Sequence, residues 1–122
     1  MAELMHTTLY GIPNCDTVKK ARVWLDTHGV HYSFHDFKKA GLDQATIDGW
    51  LSKLDWTLLV NRKGLTWHAL DEASKASVVD AASASAVMLR ATSVIKRPVL
   101  VCKGGTLVGF NADSYQQIFQ PR

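Results

Sequence analysis

The sequence is poor in the residues that mark unusual proteins. Its 122 positions hold two cysteines, three prolines and eight glycines. Two cysteines, Cys15 and Cys102, do not make the disulfide framework of a small secreted domain. So little proline and glycine argues against a collagenous or disordered chain. No run approaches the roughly 20 apolar residues of a membrane span, so no membrane partner is expected. The opening Met1-Ala2-Glu3-Leu4-Met5-His6 has neither a basic region nor a long apolar run, so no secretory signal is expected. These absences point to the cytoplasm, where thiols stay reduced. Fourteen Lys and Arg against eleven Asp and Glu leave a net charge of +3. That mild excess suits a small anionic ligand and gives little support to nucleic acid.

What is present describes one globular domain over residues 1–122. The hydrophobic share is 47%, and a chain of this size buries about two-thirds of its unfolded surface. Thr7–Tyr10 reads as a strand closed by Gly11, and Ile12-Pro13-Asn14-Cys15 as a loop. Val18, Ala21, Trp24, Leu25 and His28 then recur at helical spacing up to Gly29, which suits a C-terminal cap. Val30, Tyr32 and Phe34 alternate with His31, Ser33 and His35, the period of a strand. After a loop at Asp36–Gly41, Ile47, Trp50, Leu51 and Leu54 define a second helix, with Asp43 placed to cap it. Trp56–Val60 adds a helical turn before the polar loop Asn61-Arg62-Lys63-Gly64, and the Ala- and Ser-rich stretch Asp71–Ala91 divides into two short helices.

Near the end, Val99–Cys102 and Thr106–Val108 flank Lys103-Gly104-Gly105, a hairpin signal because tight turns favour positive φ. Asn111 is placed to cap a last helix that buries Tyr115, Ile118 and Phe119. The order is βαβ, a helical block at about 42–92, then ββα. It predicts an α/β fold, a small mixed sheet with helices packed on it.

Cys15 is the first chemical candidate. Only a thiolate is a nucleophile, and a cysteine where a loop enters a helix sits at the positive end of the helix dipole. Lys19 and Lys20 add positive charge one turn on, while Asp16 opposes them. The polar surroundings Pro13-Asn14-Cys15-Asp16-Thr17 are unlike those of a buried filler. Val18 stands where a C-x-x-C partner would be, which excludes a dithiol cycle within this loop, so turnover needs an external thiol or the approach of Cys102. Cys102 itself, in an apolar strand, reads as an inert core thiol.

Arg97-Pro98 opens the third strand, a position at which Pro is acceptable and a cis bond is accessible. Lys96, Arg97, Arg62 and Lys63 are cations outside the helix stripes. Spacing does not show whether they gather at Cys15. No metal is expected: His31 and His35 on one strand stand about 13 Å apart, too far for one ion. The aromatic residues fall on core stripes, which leaves no stacking platform for nucleic-acid bases.

Four segments carry a resemblance that covers nearly the whole chain. They are Tyr10–Ala21, Asn61–Gly64 with Thr66-Trp67, Ile95–Val99 and Leu107–Phe110. In this order and spacing the chain resembles the arsenate reductase-like (ArsC) family, its YffB branch most closely and the Spx regulators more distantly. The resemblance implies a thioredoxin-like sheet interrupted by a helical insertion. By it Cys15 is the catalytic nucleophile, Arg97 binds an anion and Pro98 is a cis proline facing the site. It also implies that Asn14, Asp16, Thr17 and Lys19 contribute to an anion or glutathione pocket, with Arg62 or Lys63 as a second basic position.

The implied activity is that of a glutathione-dependent thiol reductase. Glutathione is then the co-substrate and no bound cofactor is needed. The implied partners are an oxidised or anionic substrate and glutaredoxin, and the protein is expected to be a monomer. Two departures stand against arsenate as substrate. Gly11 occupies the place of a histidine found in true arsenate reductases, and Phe110 lies near the place of an arginine. The absent C-x-x-C weakens the alternative of a non-enzymatic Spx-like partner of RNA polymerase.

Overall fold

The computed structural model describes residues 6–119, so the reading of residues 1–5 as free of a signal lies outside the described residues. The chain divides into two compact units, Met1–Ala40 with Arg97–Arg122, and Gly41–Lys96. No helix among the described residues is long and apolar enough to cross a membrane.

The first unit is built on a four-stranded sheet. Its elements are β1 (Thr8–Gly11), α1 (Asp16–Thr27), β2 (Ser33–Asp36), α2 (Phe37–Ala40), and, after the second unit, β3 (Val99–Cys102) and β4 (Gly105–Val108). The strand order is β2-β1-β3-β4. β1 runs parallel to β2 and antiparallel to β3, and β3 and β4 form the hairpin. A last helix over Ala112–Phe119 closes this unit, its first turn held by Asn111 Oδ1 accepting from Ser114 N at 3.0 Å.

The core follows the helical stripe. Val18, Ala21 and Leu25 of α1 are fully buried and pack with Leu9, Leu100 and Tyr115. Burial of side chains of this kind is worth roughly 1.5–3 kcal/mol for each of the larger ones. Trp24 and Phe110 meet the Tyr115 ring edge-on at 5.5 and 4.9 Å between centroids. The same helix ends as its glycine predicts. Gly29 has φ 68°, its N–H bonds Asp26 O, and Val30 N bonds Leu25 O at 3.0 Å. This paired closure is a Schellman motif, and Val30 packs against the core cluster that contains Leu25.

Two features of this unit differ from expectation. The second strand begins at Ser33 rather than Val30, because the Val30 N–H is committed to ending α1. Residues 37–40, expected as loop, form the helical turn α2, with Asp36 Oδ1 accepting from the N–H groups of Lys38 and Lys39. The hairpin glycines also divide their reasons. Gly105 has φ 147°, whereas Gly104 is needed for space: a Cβ there would stand 2.8 Å from Ile118 Cγ1.

The second unit is helical, with α3 (Gln44–Leu51), α4 (Trp56–Leu59), α5 (Leu65–Ala69), α6 (Glu72–Ser77) and α7 (Ala81–Arg90). The closing helix Ala112–Phe119 is therefore α8. Aspartates start most of them: Asp43, Asp55, Asp71 and Asp80 accept from Thr46, Thr57, Ser74 and Ser83 backbone N–H groups. Ile47, Trp50, Leu59, Ala84, Val87 and Met88 are buried, as the stripes predict for α3 and α7. The α5 turn was not expected, since only Trp67 of its residues is buried. Val60 and Ile95 bridge antiparallel, and Lys96 N bonds Leu59 O at 2.7 Å, closing the unit where the chain returns to β3.

Candidate functional site

Cys15 is the residue at which loop becomes helix. Pro13, which has no N–H to donate, interrupts the ladder after β1. Cys15 then takes the N-cap place of α1 with extended backbone (φ −150°, ψ 123°). Its carbonyl accepts from Lys19 N at 2.9 Å, while its side chain makes no capping bond. Serine or aspartate at an N-cap is usually held by its own helix. Here the side chain makes no such bond. It is a free cysteine, half-buried, and packs against the core cluster on one side. The first N–H groups of a 12-residue helix lack intrahelical partners and carry its positive end.

Register places the second part of the site. β1 and β3 pair antiparallel with Tyr10 opposite Val99. Arg97-Pro98, just before Val99, therefore lies at the sheet end from which the Ile12–Cys15 loop leaves. Their peptide bond is cis. Pro98 is buried, and its carbonyl accepts from Gly109 N at 2.8 Å. Arg97 is half-buried, with its Nε enclosed.

The candidate residues thus separate into two sets. Asn14, Cys15, Asp16, Thr17 and Lys19 share the start of α1, and topology brings Arg97 and Pro98 to the same sheet end. Asn14, Asp16 and Lys19 are exposed and Thr17 is half-buried. Arg62 and Lys63 belong to the Gly41–Lys96 unit, on the turn after α4. There the Arg62 guanidinium stands 5.7 Å from the Trp56 ring centroid, and Lys63 N bonds Asn61 Oδ1 at 3.2 Å.

Cys102 is buried in β3, at 4% exposure. Close by, the Tyr115 phenol is held above its ordinary value, first by burial and then by Cys102. Among the described residues no group of three or more His, Cys, Asp or Glu has metal-holding geometry.

Gly11 has a steric reason. A Cβ at this position would stand 2.9 Å from Val18 Cγ2 and 3.7 Å from Phe34 Cε1. Helix α1 comes so close to β1 that a side chain here requires the helix to move. Sequence reasoning missed Lys38 and Lys39. They line an open groove with Ile12, Pro13 and Asn14 of the cysteine loop and with Lys19. The signal was there as Asp36-Phe37-Lys38-Lys39, in which Asp36 starts a turn and Phe37 anchors it at 1% exposure.

A mixed four-stranded sheet with helices, and a free cysteine at the head of the first helix, define an α/β protein of thioredoxin-like fold. The sequence profile of the ArsC family matches residues 10–118, and the chain belongs to that family. A solved structure named YffB is 49% identical, covers 92% of this chain and 97% of its own, and superposes with a TM-score of 0.87. A solution structure of an arsenate reductase (ArsC) related protein from Brucella melitensis is 47% identical. It covers 99% of this chain and 100% of its own, with a TM-score of 0.71. An uncharacterized protein of Haemophilus influenzae is 41% identical over 92% of this chain and 97% of its own. More distantly, the global transcriptional regulator Spx of Streptococcus agalactiae is 27% identical over 94% of this chain and 83% of its own.

Proposed function

We propose that this protein is a glutathione-dependent thiol reductase of the ArsC family, with Cys15 as its single nucleophile. The observation that carries the reading is the position of Cys15 as an uncommitted N-cap, its thiol free of any capping bond at the start of α1. The Cys15 thiolate attacks an electrophilic sulfur, a Cys15 Sγ–S bond forms, and the substrate's other half leaves as a thiolate. Glutathione thiolate then attacks the adduct, forms the mixed or symmetric glutathione disulfide and restores Cys15. Arg97 offers a cation to an anionic substrate or a glutathione carboxylate from the end of β3. Glutathione fits a chain in which Val18 replaces a resolving cysteine and Cys102 is enclosed in β3.

Arsenate is disfavoured as the natural substrate. The place of the histidine found in true arsenate reductases is Gly11, where Val18 leaves no room for a side chain. Incubation with arsenate, glutathione and glutaredoxin is expected to release little or no arsenite.

Mass spectrometry after incubation with oxidised glutathione tests the reading directly. The wild type is expected to gain one glutathionyl group on Cys15, and Cys15→Ser none. An adduct confined to Cys102 would overturn it. The match to Spx along 94% of the chain supports a second reading, a binding module for RNA polymerase. Capture of the polymerase α subunit with equal efficiency by wild type and Cys15→Ser would favour that reading over catalysis.

A further inference from the structure

The open groove beside the cysteine loop has a volume of about 450 Å³. Ile12 and Pro13 give it an apolar wall, and Asn14, next in sequence to Cys15, lines it as well. Lys19 reaches it from α1, and Lys38 and Lys39 from α2 across the parallel β1–β2 pair. One carboxylate, Asp36, also lines it. Asp36 Oδ1 is turned to the backbone, where it accepts from Lys38 N at 3.1 Å and Lys39 N at 3.2 Å. The acid therefore organises the turn that presents the two lysines. Among the described residues none of the three ammonium groups is in an ion pair.

Three cations against one carboxylate, beside an apolar wall, select a ligand with more negative than positive charge and some carbon surface. The volume falls in the range of small-molecule sites, about 300–1,000 Å³, and is larger than a tetrahedral oxyanion fills. Cys15 itself does not line the groove, which borders its loop through Ile12, Pro13 and Asn14. A ligand of this charge that also reaches the thiol is a small peptide thiol or disulfide carrying several carboxylates.

We infer that Lys38 and Lys39 are specificity-determining residues that draw the carboxylate-bearing half of an anionic thiol–disulfide substrate into this groove, with its sulfur toward Cys15. The inference rests on the reading of Cys15 as the attacking thiolate. In the step concerned, the Cys15 thiolate attacks one sulfur of the disulfide, and a Cys15 Sγ–S bond forms as the S–S bond breaks. The disulfide is the oxidant: its departing half leaves as a thiolate with the electron pair of the broken bond, and the half in the groove remains on Cys15. The lysines are exposed and act through solvent, so their effect is strongest at low ionic strength.

The test compares the rate of Cys15 modification by oxidised glutathione, which carries carboxylates, with that by uncharged 4,4′-dithiodipyridine. The proteins are wild type, Lys38→Ala/Lys39→Ala, Lys38→Glu/Lys39→Glu and a Cys15→Ser control. At low salt the ratio of the two rate constants is expected to fall roughly tenfold in the alanine variant and further in the glutamate variant. Raising the salt to about 0.5 M should shrink the difference. An unchanged ratio overturns the inference, whether both rates hold or both fall together.

A second arm needs no thiolate. Binding of S-methylglutathione to Cys15→Ser, measured by calorimetry, should weaken when Lys38 and Lys39 are also replaced by alanine. That result sustains the groove even where Cys15 proves unreactive, and unchanged or absent binding overturns it. Failure of the Cys15 reading would show separately, as modification of the wild type no faster than that of Cys15→Ser.

Discussion

Gly11 and Val18 meet where β1 and α1 are closest, and the contact limits what this site can become. Val18 is β-branched and fully buried, so it has no alternative rotamer to offer a new neighbour. Gly11→Ala is expected to destabilise the fold by about 1–3 kcal/mol, the usual cost of overpacking. A lower urea midpoint at unchanged m would show it. Tyr115 carries the opposite opportunity. Its ring is wholly enclosed, yet its hydroxyl has no hydrogen-bond partner among the described residues. Tyr115→Phe should therefore leave stability at neutral pH unchanged or raise it by about 1 kcal/mol, since it removes an unmet buried polar group. Burial, with Cys102 second, raises the folded-state value of this phenol above its ordinary 10.0. The stability linked to its proton is complete below pH 10 and is lost as pH rises further. Thermal melts above pH 10 should thus fall more steeply for the wild type than for Tyr115→Phe.

α3 was legible in the sequence from its cap and its apolar stripe, α7 from its stripe alone. In the structure α7 also has a cap: Asp80 and Ser83 cap reciprocally, and Ala84, Val87 and Met88 face the core. Asp80 is held below its ordinary 3.8, first by the Ser83 backbone N–H and then by the Ser83 hydroxyl. Because the folded-state value is depressed, its contribution is present above pH 3.8 and is lost as pH falls through the lower folded value. Asp80→Ala is expected to lower the melting temperature by a few degrees at neutral pH, and the gap from wild type should close in acid. Circular dichroism melts across pH would check both halves. α2 and α5 were not legible for a physical reason. Each is a single turn with one buried residue, Phe37 or Trp67, and one residue makes no periodicity. Leu65, at 89% exposure, even points against a core-facing α5.

Across the molecule, protection should follow the sheet. β1 and β3 have partners on both sides, whereas β2 and β4 are edges. Backbone amides that bond between β1 and β3 should exchange slowest, and those of the single turns α2, α4 and α5 fastest. Hydrogen-exchange NMR reads this order directly, and faster exchange at the central strands would contradict it.

The sequence alone determined the βαβ and ββα parts, the helical block between them and the caps Asp43 and Asn111, because periodicity and capping are local. It also singled out Cys15, since a polar loop running into an amphipathic helix is visible in consecutive residues. It did not determine where the cations gather. Only strand pairing brings Arg97 to the end of the sheet near Cys15, and only the parallel β1–β2 pair sets Lys38 and Lys39 beside the loop that precedes it. Few cysteines and a slight positive excess therefore said little until the register of β1 was known. A site assembled from distant segments depends on long-range pairing, and that is decided by tertiary structure.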